Sequence, residues 1–479
     1  RRLAEEALAE RLRLAAAMLR KPGAARDRDL AKSLRESVGE IGAWLHVAGV
    51  EKTSPADDLA ALRQAAASTQ TVLMLAEVAS AERADRLPDA DRIAARIDGA
   101  ASILSAGRRP RPGDVHEAIE DEAPSPRANA LSAGLARELD AFAERPTADA
   151  QHHLHTKTPG GFFLPDAFTN PDHVYYALKT TCAAVFCYVL YSLLDWPGIH
   201  TCFITCYIVS LTTTAETVEK LTLRVLGCLV GAATGIAAIV YLMPDVTSIT
   251  GLMAVVFGAA FVSAWIAGGS PRIAYAGFQV AFAFFLCVVQ GSAPAFDMKT
   301  ARDRAIGILV GNVVAYLFSI AFRSVSVGRR IDPAIAGLLR TLGLMATADQ
   351  PIRRQLAAET QASLGILERD LALVFYEPVS IRPSRAWLEA RVEAARQIGA
   401  LAGRLLLPEA PEPGLAGAAA RLERLADSLD GADKQPVADS GRIDDADELH
   451  AFVCDPIRKL ERTLGPAAGQ GGMASDVRA

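Results

Sequence analysis

Arg224-Val225-Leu226-Gly227-Cys228-Leu229-Val230-Gly231 and Arg304-Ala305-Ile306-Gly307-Ile308-Leu309-Val310-Gly311 repeat one local pattern 80 residues apart, each near the start of a long apolar run. Around them, from Val174 to Phe322, charges nearly vanish from six runs: about 174–194, 198–214, 221–242, 248–268, 273–290 and 304–322. A bilayer span needs roughly 20 predominantly apolar residues. The block therefore reads as about six transmembrane helices, the second being the shortest. Turn residues separate the runs: Asp195-Trp196-Pro197-Gly198, Pro244-Asp245, Gly268-Gly269-Ser270-Pro271 and Pro294. The repeated pattern falls in the third and sixth runs. An odd number of spans per unit turns the second three-helix unit upside down relative to the first. Such inverted repeats place a transporter's substrate site near the bilayer midplane.

Outside this block the chain is charged. Its 479 residues carry a net charge of -5 and are 51% hydrophobic, with a mean hydropathy of +0.20. That balance fits a membrane core between soluble parts and gives no basic surface for nucleic acid. Residues 1–150 read as a helical domain with amphipathic periodicity (Leu8, Leu12, Met18; Ile41, Leu45), broken at Lys21-Pro22-Gly23, Ser54-Pro55 and Arg109–Gly113. Residues 151–173 read as a linker, 174–322 as the membrane domain and 323–479 as a second helical domain. Asp455-Pro456 is expected to interrupt the last helix. Near the span ends, seven cations (Lys179, Lys220, Arg224, Arg272, Arg323, Arg329, Arg330) face one side and three (Lys299, Arg302, Arg304) the other. This bias puts both soluble domains in the cytoplasm. The chain opens on a charged helical pattern with neither an initiator Met nor a signal peptide, so a preceding N-terminal portion is expected.

The candidate functional residues follow from the repeat. Gly227, Gly231, Gly235, Gly307 and Gly311 form small-xxx-small faces for close helix packing. Arg224 and Arg304 are read at helix N-termini, the end a helix dipole makes unfavourable for a cation. Snorkelling to headgroups accounts for that placement. The alternative is that Arg224 and Arg304, with Lys220, Lys179 and Lys299, form cationic mouths for an anionic substrate, with Gln279 and Asn312 along its path. Thr201 and Thr205 share a face of the second span, where bonding back to their own helix is the plainer account. Glu216 and His200 are candidates for proton coupling, although Glu216 is also spaced for an i,i+4 pair with Lys220. Six of the seven cysteines lie in the block. Cys202 and Cys206 share a face at metal-compatible spacing, but free Cys usually packs as a small apolar residue. His152-His153-Leu154-His155 lacks a rigid set of further ligands, and no P-loop or catalytic constellation is present. Neither a metal, a cofactor nor an enzymatic activity is called for.

Four stretches carry a family resemblance: Thr169-Asn170-Pro171-Asp172-His173-Val174-Tyr175-Tyr176, Asp195-Trp196-Pro197-Gly198-Ile199-His200, Thr213-Thr214-Ala215-Glu216 and Tyr275-Ala276-Gly277-Phe278-Gln279. Together they resemble the fusaric acid resistance (FUSC) family, in its multidrug-efflux branch, over about residues 162–330. Beyond that range only Phe375-Tyr376-Glu377-Pro378 is similar to the family. The resemblance implies an exporter of small aromatic acids or drugs in a bacterial inner membrane, driven by the proton gradient. It also implies work with a periplasmic adaptor and an outer-membrane channel, and a further N-terminal membrane block, which a homodimer is one way to replace. A passive organic-anion channel and a non-transporting membrane scaffold are the alternatives.

Overall fold

The computed structural model describes residues 1–21, 33–34, 38–51, 54–81, 89–108, 126–143, 167–270, 273–290, 293–294, 298–321, 324–407, 413–430 and 448–465. The His152–His155 tract, the linker over 151–166, the breaks at Pro22-Gly23 and Arg109–Gly113, and the cations Arg272 and Arg323 lie outside the described residues. The chain divides into two compact units, one of residues 1–159, 330–372 and 383–479, the other of 160–329 and 373–382.

The first unit holds α1 (Arg2–Arg20), α2 (Val38–Val50), α3 (Ala56–Ala81), α4 (Ala90–Ser105) and α5 (Pro126–Ala143). The second holds α6 (Pro171–Leu193), α7 (Thr201–Val209), α8 (Thr214–Ala237), α9 (Ile249–Gly269), α10 (Ala274–Val288) and α11 (Met298–Ala321). After these come α12 (Gly328–Thr347), α13 (Gln350–Leu373), α14 (Arg385–Arg404), α15 (Pro413–Leu429) and α16 (Glu448–Leu464).

The boundaries drawn at residues 150 and 323 divide a single unit. Helix α3 packs against α14, and α5 against α16. Gly403 makes the first of these contacts possible, since a Cβ there would lie 3.2 Å from the Met74 carbonyl and 2.6 Å from Val78. Arg354 reaches across to Glu138 at 2.8 Å, in a place where burial pushes the carboxyl's pKa up and the guanidinium opposes that shift. Amphipathic faces are legible in sequence; which face meets which is not.

The last helix corrects a second expectation. Helix α16 runs through Asp455-Pro456 without a break. Pro456 has no N–H to give the carbonyl one turn back, and Arg404 Nη1 donates to that Phe452 oxygen instead, at 2.9 Å, with its guanidinium 4.3 Å over the Phe452 ring. Arg404→Ala is expected to lower the unfolding free energy of this unit by about 2 kcal/mol. A urea melt followed by circular dichroism checks it, an unchanged midpoint counting against the rescue of Pro456.

Among the described residues of the second unit four helices are long and apolar enough to cross a membrane: Pro171–Leu193, Thr214–Asp245, Ile249–Gly269 and Lys299–Ala321. The other two runs form short helices, Pro197–Val209 and Ala274–Val288. At 1.5 Å per residue the 15 residues of α10 cover about 22 Å, short of the roughly 30 Å hydrocarbon core. Both short helices are held by glycine ridges. A Cβ on Gly227 would lie 2.6 Å from the Ala276 carbonyl, and Gly231 and Gly235 meet Ala283 and Cys287, so α8 cradles α10. A Cβ on Gly307 would lie 2.7 Å from the Ile199 carbonyl, and one on Gly311 2.7 Å from the Cys202 carbonyl, so α11 cradles α7. Each copy of the repeated glycine pattern therefore receives the short helix of the other three-helix run.

Helix starts account for a third correction. Thr213 Oγ1 accepts the Glu216 N–H at 3.2 Å, and the Glu216 carboxylate accepts the Thr213 N–H at 3.2 Å. This capping box starts α8 at Thr214 rather than near 221. Arg224 is thus ten residues into its helix, not at an N-terminus, and Arg304 lies inside α11.

Candidate functional site

Ten residues beyond Thr214 place Arg224 roughly 15 Å along the axis of α8, about half a hydrocarbon thickness from its start. It is 1% exposed. Its Nη1 donates to Gln279 Oε1 at 3.1 Å and to Tyr275 Oη at 3.3 Å, both on α10. Its Nη2 donates to Thr205 Oγ1 on α7 at 3.1 Å. The Thr205 hydroxyl in turn donates to the Thr201 carbonyl at 2.8 Å, so it keeps the expected back-bond while accepting from Arg224. A buried guanidinium held by three neutral oxygens, with no carboxylate pairing it among the described residues, is a charge without its counter-ion. Burying a charge is costly unless it is paired.

The neighbouring polar atoms point the same way. Arg224 Nε, Gln279 Nε2 and both amide atoms of Asn312 are buried without a hydrogen-bond partner. Gln279 is fully buried and Asn312 is 5% exposed. Asn312 directly follows Gly311, whose packing partner is Thr205. One turn before Arg224, Lys220 Nζ lies 5.2 Å over the Tyr275 ring. Lys179 on α6 is 7% exposed, with no ion pair among the described residues. Surplus donors and positive charge buried in an apolar helical unit are suited to an anion.

The other sequence candidates lie elsewhere. Glu216 closes the capping box. His200 is exposed on the turn before α7, its Nδ1 2.9 Å from the Pro197 carbonyl oxygen. Arg304 is half-buried beside an apolar recess and is not brought to Arg224. The cysteines form no disulfide, and no group of metal-binding side chains occurs among the described residues.

One residue of the site, Tyr275, is not among the candidates read from the sequence. Tyr275 precedes Gln279 by four, which puts both on one face of α10; that spacing was the available signal. Elsewhere in the unit folding joins Trp196 to Asp303, the indole N–H donating to Asp303 Oδ2 at 2.9 Å. A Cβ on Gly198 would lie 3.0 Å from the Cβ of Asp303, so the Trp196-Pro197-Gly198 turn seats on α11 only as glycine.

Phe375-Tyr376-Glu377-Pro378 also belongs to this unit. Its turn packs on α8, and Glu377, 1% exposed, accepts the Ser326 hydroxyl at 2.8 Å and the Val327 N–H at 2.6 Å. Arg382 braces the turn by donating to the Phe375 and Glu377 carbonyls. Burial pushes the Glu377 carboxyl's pKa up against those hydrogen bonds. The folded state therefore binds more protons than the unfolded one above the ordinary carboxylate range, so stability falls as pH rises there. Glu377→Gln keeps the acceptor and is expected to remove that pH dependence; Glu377→Ala also removes it and is expected to cost about 2 kcal/mol at acidic pH, less as pH rises. Melting temperatures across about pH 4 to 8 compare the three proteins.

A helical bundle with a buried, uncompensated cation and two glycine-cradled short helices defines a polytopic membrane protein. Residues 185–318 match the family described as fusaric acid resistance protein-like. The chain is 37% identical over 180 residues to multidrug resistance protein MdtO of Shigella flexneri, covering 37% of this chain and 26% of that protein. It is 36% identical over 191 residues to multidrug resistance protein MdtO of Escherichia coli strain K12, covering 40% and 28%. The chain thus spans little more than a quarter of the length of these relatives.

Proposed function

We propose that this chain is the membrane core of an inner-membrane efflux transporter for small organic anions. The observation that carries this is Arg224, a buried guanidinium inside an apolar helical unit with only neutral partners and unpaired donors around it. An anionic headgroup there satisfies what the protein leaves unsatisfied. Lys220 and Lys179 extend the positive potential from Arg224 toward the end where α8 begins, which attracts an anion from that side. The charge bias of the span ends supports a cytoplasmic position for that side and for both soluble flanks. The six runs act as two inverted three-helix units, each lending its short helix to the other's glycine ridge, a geometry that suits alternating exposure of one site.

The names of the relatives support export, and the family resemblance supports a periplasmic adaptor, an outer-membrane channel and proton drive. The test is accumulation of a panel of aromatic acids and antimicrobial dyes in cells lacking their own efflux systems, with and without expression of the chain. Lower accumulation of organic acids that is abolished by a protonophore fits the transporter. Movement that survives collapse of the gradient fits a passive anion channel, and no difference across the panel contradicts both.

A further inference from the structure

Arg304 and the recess beside it form a site of a different kind. Arg304 is half-buried, and its guanidinium makes no hydrogen bond or ion pair among the described residues. It lines a recess with Leu229, Ala232, Leu286, Cys287 and Leu309, drawn from α8, α10 and α11. Leu229 is 53% and Leu309 39% exposed, on helices long and apolar enough to face lipid. The recess therefore reaches the helix surface at Leu229 and Leu309, while its inner wall, Cys228, donates to Gln279 Oε1 at 3.7 Å beside the Arg224 cage. Ala232 lines it from α8, eight residues past Arg224 and so about 12 Å further along the axis.

Charge is arranged to match. Lys299, Arg302 and Arg304 lie within six residues at the beginning of α11, against one acid, Asp303. Asp303 is held by the Trp196 indole and by Arg302. A cation at the rim of an apolar groove between helices suits a molecule with an anionic head and a hydrocarbon tail.

We infer that the recess between α8, α10 and α11 holds an anionic phospholipid, its phosphate on Arg304 and an acyl chain along Leu229, Ala232 and Leu309. This site stands independently of the export reading, and it removes Arg304 from the substrate path.

The test is native mass spectrometry of the full chain, purified in mild detergent and titrated with phosphatidylglycerol, with phosphatidylcholine of the same chains, or with inorganic phosphate. Retention of phosphatidylglycerol over phosphatidylcholine is expected, with no displacement by inorganic phosphate. Arg304→Gln is expected to lower phosphatidylglycerol retention on the order of tenfold. Ala232→Phe, which fills the groove and leaves the guanidinium, is expected to lower it as well. Arg224→Gln is expected to leave it unchanged, which separates this site from the anion cage. Equal retention of the two lipids overturns the inference, as does displacement by inorganic phosphate. Undiminished retention in both recess variants, each eluting as a single sharp species, also overturns it.

Discussion

Arg224→Gln is expected to reduce export of organic anions at least tenfold while the protein still inserts in the membrane. Glutamine keeps a polar side chain beside Thr205, Tyr275 and Gln279 but removes the charge. The three hydrogen bonds from the guanidinium are neutral on the acceptor side, so their loss costs the fold little that glutamine does not restore. Removing an unpaired buried charge even relieves a desolvation cost. The substrate's headgroup has no such compensation, and one lost charge-assisted contact of about 1.4 kcal/mol or more is already tenfold. Arg224→Lys tests the chemistry further. An ammonium carries the charge but cannot reach α7 and α10 together with one planar fork, so it is expected to fall between glutamine and arginine. Export equal to the parent in both variants removes Arg224 from the substrate path.

Gly231→Ala and Gly311→Ala are the second pair with large expected effects, and these act on the fold. At Gly311 a methyl group would lie 2.7 Å from both the Cys202 carbonyl and the Thr205 Cβ; at Gly231 it would meet the Val280 carbonyl and lie 2.8 Å from the Ala283 Cβ. Backbone atoms cannot swing aside as a side chain does, so α7 or α10 must lift from its ridge. Overpacking of this kind costs typically 1–3 kcal/mol. Both variants are expected to shift detergent melting well below the parent, with Gly311→Ala also disturbing Thr205 and so Arg224. Gly258→Ala on α9, where nothing lies within 4 Å, is the matched control and is expected to be silent.

The helices were legible because hydropathy and turn residues mark them directly. The starts of α8 and α11 were less so, because Lys220, Arg224 and Arg304 look like span edges when charge is read as exposure. The Thr213–Glu216 capping box was the contrary signal in the sequence. Of the candidate site, Arg224 and Gln279 could be named from the sequence alone as polar groups in an apolar block. Their contact could not, since 55 residues separate them and it depends on Gly227 letting α10 approach. The pairing of flanking helices into one unit was likewise out of reach, being a matter of which apolar faces meet.

Equilibrium binding of a radiolabelled organic carboxylate to the purified full chain, parent against Arg224→Gln, tests the anion cage most directly. Saturable binding by the parent, weakened at least tenfold in the variant at unchanged melting temperature, is the expected result. Equal binding by the two proteins, or no saturable binding by the parent, contradicts it.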